Sequence, residues 1–189
     1  MLHKEIIIII ITGSGAPGIA GTIYSLKESN DFVEIKIIGT DINNNAVGKY
    51  LCDKFYVIPP CSNTYKYLDA LMKICKDENV KLIIPQNTKE LEILSKNKEL
   101  FKKINVNILV SSSSSIDQSN NKYHLLKVAK DQGVPCPDFF LVNNIKDLKK
   151  NMELLGWPNN RVVIKPPISN GSRGVRIIDE KIDLKNIFY

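Results

Sequence analysis

The chain has 189 residues, 43% of them hydrophobic and 24% charged, and its 26 Lys and Arg against 20 Asp and Glu give a formal charge of +6. That composition excludes a disordered or collagen-like chain and supplies enough apolar surface for a core, in one domain or one domain plus part of another. The longest aliphatic run, Ile6 to Ile11, is too short to span a bilayer or to form the apolar part of a signal peptide. No membrane partner is expected, and a soluble cytoplasmic protein is the default.

The first part alternates strand and helix signals. Residues 5–12 are a β-branched run suited to a central strand buried on both faces. Pro17 stands where a first helical turn starts and predicts a helix to residue 28. Strands are predicted over 34–39, 55–58, 81–84 and 106–110, with 81–84 stopped by Pro85. Helices are predicted over 46–52, 65–77 and 91–101. Strands alternating with helices point to an α/β unit with a mostly parallel sheet covered on both faces.

Five serines, Ser111 to Ser115, follow the fifth strand and mark the boundary between a first domain, 1–115, and a second, 116–189. A flexible linker fits them, and so does a tight turn with Ser115 or Asp117 capping the next helix. That helix is predicted over 117–132 and ends at Gly133, as a left-handed cap would. A strand over 139–142, a helix over 145–155 and strands over 161–165 and 174–178 follow, the last two joined by a loop. Residues 183–189 have the pattern of a helix start with no stop signal after it, so the natural chain is expected to continue.

The basicity is uneven, with all three arginines (Arg161, Arg173, Arg176) late in the chain. A solvated surface or a local anion site fits this, but no basic run interleaved with aromatics argues for nucleic acid. Cys52, Cys61, Cys75 and Cys136 form no C-x-x-C and have only His3 and His124 to join them, so free thiols are expected.

Three segments carry chemistry. Gly13-Ser14-Gly15-Ala16-Pro17-Gly18 fits G-x-G-x-x-G between a strand and a helix, where backbone amides can hold a phosphate or another anion. Asp41, ending the second strand, lies near the spacing of a ribose-binding acid. Equally, such a turn simply lets a strand and a helix pack closely. The segment with Gln86, Asn87 and Glu90 follows a strand and belongs to the carboxyl edge of the sheet, where ligands bind, or is a polar helix start capped by Asn87 or Thr88. Lys165 ends a short apolar strand and precedes a small polar loop with Ser169, Gly171, Ser172 and Gly174. A lysine there suits phosphate oxygens, and the glycines let backbone approach a ligand; an ordinary hairpin loop is the alternative. Lys122, early in its helix, works against the helix dipole unless it faces an anion. There is no G-x-x-x-x-G-K-[ST] and no G-x-S-x-G.

Taken in order, these segments resemble the ATP-grasp superfamily, and within it proteins like the large chain of carbamoyl phosphate synthase. Ile9-Ile10-Ile11-Thr12-Gly13-Ser14-Gly15, Gly39-Thr40-Asp41-Ile42-Asn43 and Leu82-Ile83-Ile84-Pro85 are similar to the Rossmann-like domain that precedes the ATP-grasp fold. Asn121-Lys122-Tyr123 with Gly133-Val134-Pro135-Cys136-Pro137, and Val162-Val163-Ile164-Lys165-Pro166-Pro167 with Gly171-Ser172-Arg173-Gly174-Val175, resemble the first ATP-binding lobe. Asn121 stands where aspartate is more usual.

The resemblance implies that Lys122 and Lys165 contact ATP phosphates, and that Ser169, Gly171, Ser172 and Gly174 form a mobile lid over them. It implies a ligase that phosphorylates a carboxylate with ATP and transfers the acyl group to an amine, helped by magnesium. Small-molecule acid and amine substrates follow, with Gln86, Asn87 and Glu90 as substrate contacts, and a homodimer. The family's metal ligands, adenine strand and late arginine lie beyond the Gly-rich loop, so these residues alone are expected to bind ATP phosphates without turnover. A dinucleotide-binding module or a nucleotide-sensing protein without catalysis is the other reading.

Overall fold

A β-branched run makes a stiff extended segment, and strand β1 (Glu5–Thr12) forms from it. The structure, a computed structural model, describes residues 5–28, 33–169 and 171–181. The helix expected over 183–189 lies outside the described residues.

The chain divides into two compact units, Met1–Ile116 and Asp117–Tyr189. In the first, β1 pairs in parallel with β2 (Val33–Asp41) on one side and β4 (Leu82–Pro85) on the other. Strand β3 (Lys54–Val57) extends the sheet beyond β2, and β5 (Asn107–Ile108) extends it beyond β4. The order is β3-β2-β1-β4-β5, all parallel.

Successive side chains of a strand point to opposite faces, and β1 fills two cores in that way. Ile9 and Ile11 join Ile19 and Ile23 of helix α1 (Ile19–Glu28), together with Ile37 and Ile84. Ile10 joins the other face, with Tyr67, Leu68, Leu71 and Ile74 of α3 (Thr64–Asp77). Leu94 of α4 (Thr88–Lys96) and Phe101 of α5 (Lys98–Lys102) close that second face. The sheet is therefore covered by helices on both sides, while the leading end of β1 stays open, with Ile6 49% exposed. The short helix α2 (Gly48–Leu51) lies between β2 and β3.

Two predicted helices are each two. The helix over 91–101 breaks at Asn97, whose side-chain amide donates to the Ile93 carbonyl at 2.8 Å beside its own backbone N–H at 3.2 Å and so caps the end of α4. The helix over 117–132 is α6 (Ser113–Asn120) and α7 (Lys122–Asp131). Asn121 separates them, because its side chain accepts from the Tyr123 and His124 N–H groups and starts α7 afresh. The serine run is neither a linker nor a turn. Ser112 Oγ accepts from the Ser115 N–H at 3.2 Å, and α6 begins inside the run.

In the second unit, Leu148 and Met152 of α8 (Ile145–Leu154) pack on Val162 of β6 (Val162–Ile164) and Ile178 of β7 (Arg176–Ile178). Strands β6 and β7 pair antiparallel. The strand expected over 139–142 is irregular instead. No strand among the described residues pairs with it, and Phe140 and Leu141 are each 45% exposed. Gly133 does take the left-handed conformation, φ 71°, that ends α7.

Candidate functional site

The second unit brings two of the expected lysines to one cavity of about 520 Å³. Asn121 caps α7, which fixes Lys122 in its first turn with the Lys122 N–H donating to the Pro167 carbonyl at 2.8 Å. The half-buried Lys122 ammonium donates to the Ser169 carbonyl at 2.9 Å and to its hydroxyl at 3.0 Å. Lys165, at the end of β6, lines the same cavity with Arg161 and Lys122. Asp138 is the one acid in that lining, so the cavity is net positive. A cation in a first helical turn is unfavourable by itself, and here two oxygens of Ser169 offset it.

The loop after Lys165 turns on left-handed residues. Gly171, Ser172 and Gly174 have φ of 57°, 59° and 74°. Serine in that region is uncommon and strained, a condition that clusters at ligand clamps. A Cβ at Gly174 would lie 2.6 Å from Pro166 Cγ, whereas at Gly171 it would meet nothing within 4 Å. Of the six residues expected at ATP, only Lys122 and Ser169 touch; Gly171 and Ser172 are exposed, and Gly174 packs on Pro166.

The first unit carries a separate cavity of about 440 Å³ at the carboxyl edge of β1, β2 and β4. Gly13, Gly15, Asp41, Gln86 and Asn87 line it, with Asn43 and Thr88. This edge contains the point where strand order reverses, since β1 connects onward to β2 while β4 lies on its other side. Ser14 does not line the cavity. Its hydroxyl is buried without a partner among the described residues, and it fits only because residue 48 is glycine, where a Cβ would come within 2.4 Å of Ser14 Cβ. Asn87 accepts from the Lys89 N–H at 3.0 Å and caps α4, so the cap reading and the edge reading both hold for it.

Of the two readings of the glycine loop, an anion cradle or a turn that lets strand and helix pack closely, its hydrogen bonds fit the second. The Ser14 N–H donates to the Thr40 carbonyl, the Gly15 N–H to Asp41 Oδ2 at 2.8 Å, and the Ala16 N–H to the Gly13 carbonyl. Three successive amides are thus already bonded within the chain, and the Asp41 carboxylate occupies the place of an anion. Its other oxygen accepts from the Asn43 N–H at 2.9 Å, so Asp41 braces two turns.

Glu90 lies behind this wall, 5% exposed, and accepts from the Thr12 hydroxyl at 2.5 Å. Burial raises its pKa above the ordinary glutamate value; the Thr12 and Tyr67 hydroxyls act against that, and the Asp41 charge adds to it. The Tyr67 hydroxyl is itself buried, without a hydrogen bond of normal geometry among the described residues. Glu90 is therefore a buried brace and not a cavity-lining contact. The sequence reading missed Asn43 and Thr88; the Asp41-x-Asn43 spacing of an Asx turn was the available signal for Asn43.

Among the described residues no three His, Cys, Asp or Glu side chains come together. A magnesium ion held through ATP phosphates needs only one or two protein carboxylates, and Asp138 is the one acid lining the cavity with Lys122 and Lys165. No helix among them is long and apolar enough to cross a membrane.

Comparison with known proteins gives a consistent picture. The family model described as "PylC-like, N-terminal domain" matches residues 9–109. The carbamoyl phosphate synthase large chain of Pseudothermotoga lettingae is 31% identical over 84 residues, 44% of this chain and 7% of that one. The L-arginine-specific L-amino acid ligase of Bacillus subtilis is 24% identical over 80% of this chain and 35% of its own length. The chain thus spans well under half of either relative. Among solved structures, N5-carboxyaminoimidazole synthetase from Staphylococcus aureus, complexed with ADP, superposes with a TM-score of 0.67 at 20% identity. That match covers 96% of this chain and 44% of the synthetase, and it shows a shared fold.

Proposed function

The chain belongs to the family of PylC-like N-terminal domains, as an ATP-grasp relative of the carbamoyl phosphate synthase large chain, and from that premise we propose that it is the front part of an ATP-dependent ligase joining a carboxylate to an amine. Residues 1–115 form the domain that precedes the ATP-grasp fold, and 116–189 contribute to its first ATP-binding lobe. The observation that carries the reading is the contact of Lys122 with Ser169, which ties the start of α7 to the loop after Lys165. Phosphate oxygens are stronger acceptors than a serine carbonyl or hydroxyl, so a triphosphate entering the cavity competes for the Lys122 N–H groups.

In the proposed reaction a substrate carboxylate attacks the terminal phosphorus of ATP and ADP leaves. The amine then attacks the acyl carbon, phosphate leaves, and the amine proton passes to solvent. Lys122 and Lys165 neutralise and orient the phosphates, and the loop with Ser169, Gly171, Ser172 and Gly174 covers them and excludes water. The complete enzyme uses magnesium and is a homodimer. In this reading residues 1–189 supply phosphate-binding groups, and whether they hydrolyse ATP is read by ADP release measured against a Lys165→Ala control.

Thermal protection by ATP tests the reading. ATP should raise the unfolding temperature, Lys165→Ala and Lys122→Ala should each remove most of that rise, and NADH should give none. Equal protection of wild type and both variants would remove the proposed phosphate site.

A further inference from the structure

The two cavities differ in sign. Three cations and one acid line the cavity of the second unit, as a phosphate site needs. The cavity of the first unit has no lysine, arginine or histidine in its lining, and its single formal charge is the Asp41 carboxylate. Its other polar side chains are the uncharged Asn43, Gln86, Asn87 and Thr88. The amides of Ser14, Gly15 and Ala16, which would be the donors for an anion, are bonded inside the chain. An anion entering here would meet a carboxylate with no compensating charge.

We propose that this cavity binds a small cation, a protonated primary amine on a molecule of amino-acid size, and not a phosphate or a dinucleotide. Each Asp41 oxygen already accepts one backbone N–H and retains a lone pair, so the carboxylate is held in place before the ligand arrives. The side-chain carbonyls of Gln86 and Asn87 accept from the Thr22 hydroxyl at 3.4 Å and the Lys89 N–H at 3.0 Å, and the second lone pair of each is a further acceptor for an ammonium, which donates three hydrogen bonds. A volume of about 440 Å³ suits such a molecule, and a strand-order reversal is where open α/β sheets bind ligands. Identifying the ligand as the amine substrate rests on the ligase reading above; the sign of the charge does not.

The test is a titration of the 15N-labelled 189-residue protein with glycinamide, which carries an ammonium and no carboxylate, and separately with pyrophosphate. Glycinamide should shift the backbone amides of Gly13, Gly15, Asn43, Gln86 and Asn87 to saturation, and pyrophosphate should leave them unmoved. Gln86→Glu should tighten glycinamide binding about threefold and Gln86→Lys should weaken it about threefold, while neither disturbs Asp41 or its turns. Pyrophosphate saturation of these amides, no response to glycinamide, or one affinity across the three proteins would overturn the proposal. A non-hydrolysable ATP analogue in the same samples reads Gly171 and Gly174. If those fail to move while glycinamide binds, the ligase reading falls and the amine site stands; if they move while glycinamide fails, the amine site falls alone.

Discussion

Alanine at Gly174 and alanine at Gly171 impose the same backbone strain but different contacts, and the pair isolates what the loop after Lys165 depends on. Both residues are left-handed, at φ 74° and 57°, where a Cβ costs about 1 kcal/mol. At Gly171 nothing lies within 4 Å of the added atom, so that cost is the whole effect. At Gly174 the Cβ would lie 2.6 Å from Pro166 Cγ and 3.2 Å from Pro166 Cδ. Proline cannot rotate away, so the chain next to Lys165 must move, and overpacking of this kind adds about 1–3 kcal/mol. Gly171→Ala should therefore lower unfolding stability by about 1 kcal/mol and Gly174→Ala by about 2–4 kcal/mol. Urea titration measures both, and ATP protection measured alongside should fall much further for Gly174→Ala, whose strain reaches Lys165. Equal losses at the two positions, in stability and in protection, would refute the contact with Pro166 as the constraint on the loop.

Other outcomes follow from the same structure. Glu90 titrates higher folded than unfolded, so the native state keeps its proton longer and stability falls as pH rises from the ordinary glutamate range to the raised value. Glu90→Gln keeps an acceptor for Thr12 and should flatten that fall in denaturation curves taken between acid and neutral pH; an unchanged slope would count against burial of the carboxyl. Leu71→Ala, at a site with 0% exposure, should cost about 2–5 kcal/mol by urea titration. Met152→Ala removes one of four buried residues from the core of the second unit, and limited proteolysis should show that unit opening while the first stays intact. Burial pushes the Cys75 thiol up to about 12, and burial with the Asp53 charge pushes Cys52 up to about 11. Iodoacetamide at pH 8 should therefore label neither in the native protein at a rate near that of the unfolded chain.

Long-period signals in the sequence carried the first unit well. The isoleucine run and the spacing of 65–77 each depend on local pattern, and β1 and α3 appear where those patterns lie, whereas β4 runs over Leu82–Pro85 and pairs with Thr12 through the proline expected to stop it one residue earlier. The errors at helix ends share one cause, side-chain competition for backbone donors and acceptors. Asn97, Asn121 and Ser112 each place a side chain on backbone groups at a helix end, and a helix stops or starts where apolar spacing alone runs on. The irregular 139–142 segment shows the other limit, because a strand needs a partner and local pattern does not supply one. At the site, glycine spacing announced a loop but not where its amides point. Only the fold brings Asp41 to Gly15 and turns an apparent anion cradle into a carboxylate-lined hollow.

Strand β1 lies at the middle of its sheet but comes first in the chain. Its partner β2 follows within a short helix, whereas β4 begins about 70 residues later, a delay of roughly 4–15 s at ordinary rates of synthesis. For that interval Ile9–Ile11, the part of the run that β4 later covers, presents a free edge with high β-propensity and no charge. The ribosome-bound chain is thus most vulnerable to self-association before residue 85 emerges. Chaperone demand for this protein should be set by how fast β4 reaches β1, more than by the stability of the finished fold.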